Sequence, residues 1–366
     1  MRKSEPVQPD RRLEAIVDNV LLVASGIAAA GVIAAAALSP RAPEPDAAES
    51  QARRQHARGK DARTPTEIPA RGWKEVLTRV YAEISDDRIL AVAAGVTFYA
   101  LLAIFPAIVA LVSLYGLTAD LSTLNDHLAS FAGVVPGGAL DIIRDQVTRI
   151  VTKGDGSLGF AFLFGLGAAL WSANAGVKAL FDALNVVYDE HEKRSFIRLN
   201  LISLTFTAGA ILFLLFAFNA VVVLPIALDF VGLGDRAETL LSLGRWPLLL
   251  CAVLLGLTLL YRFGPSRARP KWRWAAPGSL VAAIIWIAAS AGFSWYAANM
   301  ATYNETYGSL GAVIGFMTWI WISVIVVLLG GELNAEMEHQ TAEDTTTGAP
   351  RPMGQRGAQM ADTVAP

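Results

Sequence analysis

Polar side chains interrupt the apolar sequence before its last long hydrophobic stretch, where residues 303–321 read YNETYGSLGAVIGFMTWIW. Asn304, Glu305 and Tyr307 could bind a polar solute or pass a proton there, because a bilayer offers no water to such groups. Two interpretations of Glu305 are open. In one, it faces water in a short loop that tyrosines anchor at the membrane interface. In the other, the loop folds back between helices and Glu305 lies at the mouth of a polar cavity.

A second polar group lies toward the end of an earlier apolar stretch. Lys178 and Asp182 are four residues apart, so on a helix they share a face and could neutralise each other. Near the cytoplasmic surface they would form an ordinary ion pair, whereas inside the bundle they would lie on a substrate or proton path. Asn219 lies well inside a further apolar stretch, and we expect a neighbouring helix to provide a partner for its amide.

Small residues accompany these polar groups. Gly308, Gly311 and Gly315 open the last apolar stretch, and the last two have the spacing that lets helices approach closely. Gly165 and Ala169 begin a similar run of small residues on the stretch that carries the lysine. Such faces can pack within one chain or between copies, so a homo-oligomer is one expected partner arrangement.

The sequence lacks the usual signatures of enzymes. Its four histidines share no ligand spacing and its single cysteine lies in an apolar run, so we predict no metal site and no cofactor. The stretch GDGSLG at 154–159 follows no predicted strand, and we treat its match to a dinucleotide-binding pattern as chance. No carboxylate cluster suits a metal-dependent nuclease, and no basic patch is interleaved with aromatic residues. We therefore predict neither an enzyme nor a nucleic-acid-binding protein.

Composition indicates which elements hold these residues. The chain is 54% hydrophobic and 17% charged, whereas a soluble domain carries about 25% charged residues. Several apolar runs reach the roughly 20 residues that a membrane-spanning helix needs. The sequence predicts an all-α, polytopic membrane helix bundle with six core transmembrane helices. Their expected positions are 89–117, from 158 onward, 199–226, 246–261, 275–298 and 310–329.

The predicted membrane domain covers residues 71–336 and opens with an amphipathic interfacial helix at 72–88. Before it, the alanine-rich segment within residues 1–38 could form an extra apolar helix, at 20–38, that spans the membrane or lies against it. Residues 39–70 are expected to form a disordered linker and residues 337–366 a disordered cytoplasmic tail.

Charge predicts the orientation. Lysine and arginine are concentrated in the short loops 188–198 and 262–273, whereas loop 299–309 has none. Because short cytoplasmic loops collect basic residues, both ends of the six-helix core should be cytoplasmic. Glu332 and Asn334, which close the last span, are then expected at the cytoplasmic end rather than buried.

Three stretches resemble the YihY/BrkB family. They are DRILAVAAGVTFYALLAIFPAIVALVSLYGL at 87–117, LWSANAGVKALFDALNVVYDEHEKRSFIRLNLISL at 170–204 and, most specifically, YNETYGSLGAVI within 277–336. The resemblance covers about residues 68–336 and implies a six-helix protein of the bacterial inner membrane. Relatives have carried the label ribonuclease BN or a virulence label, but the family has no agreed catalytic motif to transfer.

Two functions remain open at this point. The first is a transporter or flippase-like permease for a lipid or amphiphilic solute, supported by polar residues near helix breaks and by glycine-lined helices. The alternative is a non-catalytic membrane scaffold that organises envelope proteins. An intramembrane enzyme is the weakest candidate, since no acid–base pair can be named. Membrane lipids are the expected partners in the first case.

Overall fold

The computed structural model describes residues 55–118, 155–218, 234–299 and 310–366. Several sequence-based predictions fall outside these ranges. They concern Asn219, Asn304, Glu305, Tyr307, Gly308 and the apolar segment 20–38.

Helices form all the long elements of the described chain. They are α1 (Ala70–Asp86), α2 (Ile89–Thr118), α3 (Asp155–Val187), α4 (Phe196–Phe218), α5 (Gly234–Phe263), α6 (Trp272–Asn299), α7 (Leu310–Gln340) and the short α8 (Gln359–Asp362). A 3₁₀ turn, Pro65–Glu67, precedes α1, and an isolated bridge joins Pro270 to Thr346. The predicted all-α fold is confirmed.

Four of these helices contain stretches long and apolar enough to cross a membrane: Phe196–Leu214, Trp246–Phe263, Trp272–Tyr296 and Val313–Gln340. At most 22% of any such stretch is buried against protein, so most of its apolar side chains need a hydrocarbon surrounding. Helix α2 adds a shorter apolar stretch, Ile89–Ala103. The fold is therefore that of a helical membrane protein. Six long helices, α2 to α7, occupy the six predicted positions, and the number that cross the bilayer stays a prediction.

Contacts between helix ends show that the six long helices alternate in direction. The main-chain N–H of Lys193, between α3 and α4, donates to the Ser266 hydroxyl between α5 and α6 at 2.9 Å. Arg79 of α1 forms an ion pair with Glu336 near the end of α7. These loops and helix ends therefore share one end of the bundle. We call this end, formed by residues 55–88, 185–198, 262–274 and 330–366, the charged pole.

Helices α6 and α7 cross very closely at Gly278 and Gly330. A Cβ atom on Gly278 would collide with the carbonyl oxygen of Gly330, so the approach requires glycine. Asn334 fastens the crossing, because its side-chain oxygen accepts from Gly278 N at 2.8 Å and its amide donates to the Ala275 carbonyl at 3.0 Å. Farther from the charged pole, a Cβ atom on Gly292 would meet no described atom within 4 Å.

Helix α1 is amphipathic, as its residue spacing predicts. Val76 is fully buried in a cluster with Leu333 and Met337 of α7, whereas Leu77 and Tyr81 are mostly exposed. Exposed apolar side chains on a charged helix beside membrane spans suit a position in the membrane interface.

The compact unit, Gln55–Pro366, is longer at both ends than the predicted domain. Ala62 and Ile68, expected in a disordered linker, are buried. Beyond α7, the buried Arg356 donates to four main-chain carbonyls at 2.6–3.2 Å. Residues 55–70 and 337–366 thus pack on the charged pole instead of forming a disordered linker end and tail. Single arginine–carbonyl contacts leave no periodic pattern, which explains why composition alone did not indicate this packing.

Candidate functional site

Lys178, on α3, reaches α4 with its side chain. Its Nζ donates to the side-chain oxygen of Asn200 at 3.1 Å and lies 5.7 Å from the centre of the Trp171 ring. The same oxygen accepts from the buried Asn174 at 3.3 Å. No ion pair joins Lys178 to the exposed Asp182, although the structure describes both residues. A polar contact between two helices thus replaces the predicted ion pair.

The small residues predicted to line helix faces lie inside the bundle. Gly165 and Gly311 are buried, while Ala169 and Gly315 are partly buried. A Cβ atom on Gly315 would meet one side-chain atom of α6 at 4.0 Å, which is an ordinary contact. The tightest backbone approach is instead the α6–α7 crossing, on glycines that the spacing rule did not single out.

Three carboxylates are buried at the charged pole on the last turns of α7. Glu332, Glu336 and Glu338 each expose 1% or less of their surface. Glu332 and Asn334 were predicted at the cytoplasmic end rather than buried, and their complete burial corrects that prediction. A buried charge is costly unless it is paired and hydrogen-bonded. The partner of each carboxylate therefore decides what that carboxylate can do.

Glu336 is paired with α1. Arg79 donates through Nε to the Glu336 carboxylate and through Nη2 to the Gln340 side chain at 2.7 Å. Gln340 donates in turn to the Arg58 carbonyl at 2.8 Å and to Glu75 at 3.1 Å. This network joins α1 and the segment before it to the end of α7, so its role is structural.

Glu338 is paired with Arg267 from the loop between α5 and α6. Nη2 of Arg267 lies 2.7 Å from both carboxylate oxygens, and both side chains are fully buried. The Thr345 hydroxyl donates to the same carboxylate at 2.6 Å, and the guanidinium lies 4.6 Å from the centre of the Tyr188 ring. Burial would lower the pKa of Arg267, but Glu338, Tyr188 and Glu190 together outweigh burial and raise that pKa, so the guanidinium keeps its positive charge.

Glu332 has no such partner. Neither of its carboxylate oxygens meets a hydrogen-bond donor in the part of the chain that the structure describes. The carboxyl of Asp87, at the junction of α1 and α2, lies near it. Because carboxylates only accept hydrogen bonds, this pair can bond only when one member carries a proton.

Other carboxyls lie near this pair, and together they form the acidic region: Glu83, Asp86, Asp87, Asp189 and Glu332. Burial raises the pKa of Asp87, the interaction with Glu332 opposes this, and the charges of Asp189 and Asp86 raise the pKa further. Burial also raises the pKa of Glu83, with Asp87 as the next cause. Asp87 and Glu83 therefore hold their protons more tightly than exposed carboxyls do.

Two residues, one in the acidic region and one next to it in sequence, have an unusual main-chain conformation. Arg88 and Asp189 both have φ of 52°, in the left-handed region that non-glycine residues rarely adopt. Arg88 directly follows Asp87, and Asp189 is itself a member of the region. Such conformations persist where the surrounding structure imposes them, and they are concentrated at functional sites.

The chemistry open to the acidic region is proton binding and release. In residues 55–118, 155–218, 234–299 and 310–366, no three His, Cys, Asp or Glu side chains are grouped so that they could hold a metal ion. A proton shared between Asp87 and Glu332 would neutralise one buried charge without disturbing the arginine pairs of Glu336 and Glu338.

Sequence reasoning missed the burial of Glu332 for a local reason. The dipeptide Gly330–Gly331 comes before it and a polar segment follows, which is typical of a helix end. One available signal was the four-residue spacing of Glu332 and Glu336, which places both carboxylates on one face of a continuing helix. The arginine that pairs with Glu336 lies 257 residues earlier in the chain, so no local pattern could indicate it.

Long apolar helices that alternate in direction, closed at one end by buried carboxylates, define a multi-pass helical membrane protein. The family model described as Virulence factor BrkB matches residues 80–354, which is most of the chain. The chain therefore belongs to the BrkB family, and the resemblance noted from the sequence is confirmed.

Relatives from several bacteria are similar to this chain. The Bacillus subtilis protein YfkH, whose name describes it as ribonuclease-like, is 33% identical over 250 residues, covering 66% of this chain and 87% of YfkH. A UPF0761 membrane protein of Photobacterium profundum is 24% identical over 281 residues, covering 75% and 84% of the two chains. Another, from Alkalilimnicola ehrlichii, is 42% identical over 81 residues, which are 22% of this chain and 18% of that protein. No solved structure matches the chain.

Proposed function

We propose that this protein is a flippase-like permease that moves a lipid or amphiphilic solute between the two faces of the membrane. The observation that supports this most directly is Glu332, a fully buried carboxylate that has no hydrogen-bond donor among the described residues and lies near Asp87. Ionisable groups inside membrane bundles are rare, and those present usually line solute or proton paths.

The contrast among the α7 carboxylates supports the choice of Glu332. Glu336 and Glu338 are each fixed by an arginine, so a change in their charge would break the structure. Glu332 breaks no ion pair when it gains or loses a proton. A step in transport that is coupled to protonation needs a group of this kind.

We assign the charged pole to the cytoplasmic face of the bacterial inner membrane. The loops gathered there carry most of the basic residues between the long helices: Lys193, Arg194, Arg198, Arg267, Arg269, Lys271 and Arg273. Cytoplasmic loops of inner-membrane proteins collect lysine and arginine, whereas the opposite loop 299–309 has neither.

Asn304, Glu305 and Tyr307 precede α7 in the sequence, whereas Glu332 lies near its end. With the charged pole inside, we place Glu305 at the outer mouth of the transport path and Glu332 at the inner mouth. The two carboxylates would then serve the two sides of the membrane in turn.

Movement of fluorescent lipids in proteoliposomes tests the function. Wild-type protein should accelerate quenching of inner-leaflet lipid by external dithionite, and more strongly when a pH gradient is imposed. Glu332→Gln keeps the side-chain shape but cannot ionise, so it should lose this activity while remaining folded. Glu343→Gln, at an exposed glutamate beyond α7, is the matched control and should retain it.

Wild-type vesicles that behave like empty vesicles, for every lipid in the panel, would refute transport and favour the scaffold. Normal activity of Glu332→Gln would remove that carboxylate from the mechanism.

We further propose that the protein is not a ribonuclease. Labelled RNA incubated with purified protein and Mg²⁺ or Mn²⁺ should stay intact, and specific cleavage would overturn that proposal.

A further inference from the structure

A strongly basic cavity opens at the charged pole between the ends of α4 and α5. Its volume is about 270 Å³, and six of its lining side chains are cationic: Lys193, Arg194, Arg198, Arg262, Arg267 and Arg269. No acidic residue lines it. We call it the basic pocket.

Three of the six cations are neutralised by carboxylates outside the lining. Lys193 pairs with Glu190 at 2.6 Å, Arg194 pairs with Glu192 at 2.7 Å, and Arg267 pairs with Glu338. Arg198, Arg262 and Arg269 have no ion-pair partner among the residues that the structure describes. The basic pocket thus carries an excess of positive charge.

Two guanidinium groups at the basic pocket also have unused donors. Nη1 of Arg267 and Nε of Arg262 are buried and lack a hydrogen-bond acceptor in the described part of the chain. The Arg267 side chain is fully buried, so water does not satisfy the group. Buried donors of charged groups are almost always paired in native proteins. Both donors are closed to the pocket's solvent as well, so an anion would be bound first by the exposed guanidinium groups of Arg198 and Arg269, which line the pocket.

The position of the basic pocket indicates where such an anion would come from. Arg198 lies in the first turn of the Phe196–Leu214 span, and Arg262 lies in the last turn of the Trp246–Phe263 span. This is the level at which a bilayer places its headgroups. Beside the pocket, Phe196 and Ile197 are more than 70% exposed, which gives acyl chains an apolar wall.

From this geometry we infer that the basic pocket binds the phosphate group of an anionic membrane lipid. The planar guanidinium group of arginine can donate two parallel hydrogen bonds to the oxygens of a phosphate. The excess positive charge of the pocket should favour an anionic headgroup over a zwitterionic one. The inference deepens the proposed function by naming a headgroup class. Binding itself requires no transport.

Native mass spectrometry of the full chain tests the site, with phosphatidylglycerol, phosphatidylcholine or inorganic phosphate added separately. Wild type should retain phosphatidylglycerol over phosphatidylcholine. The double variant Arg198→Gln/Arg269→Gln alters exposed side chains that line the pocket, and should bind phosphatidylglycerol at least about tenfold more weakly. Arg273→Gln is the matched control, since Arg273 is exposed and basic but lies outside the lining.

The outcomes separate the sources of phosphate. Selective phosphatidylglycerol binding that is lost in the double variant and unaffected by millimolar inorganic phosphate supports a lipid site. Displacement of the lipid by inorganic phosphate would assign the pocket to a soluble anion and overturn the lipid assignment. Equal binding of both lipids, or unchanged binding in the double variant, would overturn the site altogether.

The same preparations distinguish failure of the site from failure of the proposed function. Selective binding without movement of fluorescent lipid keeps the site and refutes transport. Movement that persists in the double variant, without selective binding, keeps transport and refutes the site.

Discussion

Glu332 and Glu338 lie six residues apart on α7 and are equally buried, but the groups around them differ in charge: cationic around Glu338 and acidic around Glu332. Glu338 meets Arg267, the Thr345 hydroxyl and, beyond them, the basic pocket. Glu332 meets the carboxyl of Asp87 and the rest of the acidic region. The first carboxylate is fixed by an ion pair, whereas the second can change its charge without breaking one.

This difference separates structure from function at the charged pole. A buried ion pair fixes α7 against the loops, because removing either charge leaves the other uncompensated. A carboxyl pair that shares a proton responds to pH and to any ligand that alters the local field. One helix end therefore supports both a rigid attachment and a titrating site.

The largest expected effect comes from breaking the Arg267–Glu338 pair. Arg267→Met leaves a buried, unpaired carboxylate and should lower the free energy of unfolding by about 3–5 kcal/mol. Denaturant unfolding in mild detergent measures this. The double variant Arg267→Met/Glu338→Met should recover most of the loss, since it removes both charges. A single variant as stable as wild type would show that the pair contributes little.

A smaller loss is expected at the α6–α7 crossing, on which both carboxylates depend for their positions. Gly278→Ala would place a Cβ atom against the Gly330 carbonyl and should destabilise by about 1–3 kcal/mol. Gly292→Ala, on the same helix, meets nothing within 4 Å among the described residues. It should be neutral or stabilising, because alanine favours helix. Equal melting temperatures for the two variants would contradict the tight crossing.

The smallest effects concern the pH dependence of stability. They should have opposite signs for Asp87, in the acidic region, and for Glu192, which pairs with Arg194 of the basic pocket. Asp87 has a raised folded pKa, so its contribution to stability is present at low pH and is lost as pH rises through that pKa. Burial opposes ionisation of Glu192, but its bonds to Arg194 lower its pKa from 4.5 to about 2. Its contribution is therefore present above 4.5 and is lost as pH falls toward about 2.

Melting temperatures between acidic and neutral pH measure this contrast. The advantage of Asp87→Asn over wild type should grow as pH rises, since its amide can donate to Glu332 without a proton. The disadvantage of Glu192→Gln should shrink below pH 4.5. If the melting-temperature differences of both variants from wild type change in the same direction with pH, Asp87 and Glu192 do not contribute with opposite signs.

The apolar helices could be predicted from the sequence because the signal is local. The last two spans were predicted to begin at 275 and 310, and α6 and α7 begin at Trp272 and Leu310. Residue spacing also predicted the amphipathic α1. Matching sequence stretches indicated membership of the BrkB family. Each of these conclusions depends on neighbouring residues alone.

The charged pole could not be predicted in the same way. Gln340 depends on Arg58, which is 282 residues away, and Glu338 depends on Arg267, which is 71 residues away. Each residue taken alone is an ordinary charged group near a helix end. Only the fold brings these groups together and shows that Glu332, within the described part of the chain, has no cationic partner.

The close crossing of Gly278 and Gly330 has a mechanical consequence. From Gly278 to Asn299, α6 extends for roughly 30 Å at 1.5 Å per residue. A tilt of about 10° about the crossing would move the far end of the helix by roughly 5 Å, which is close to one helical turn. If α6 tilts at all, a small adjustment at the crossing would therefore become a displacement of several ångströms at the far end of the helix.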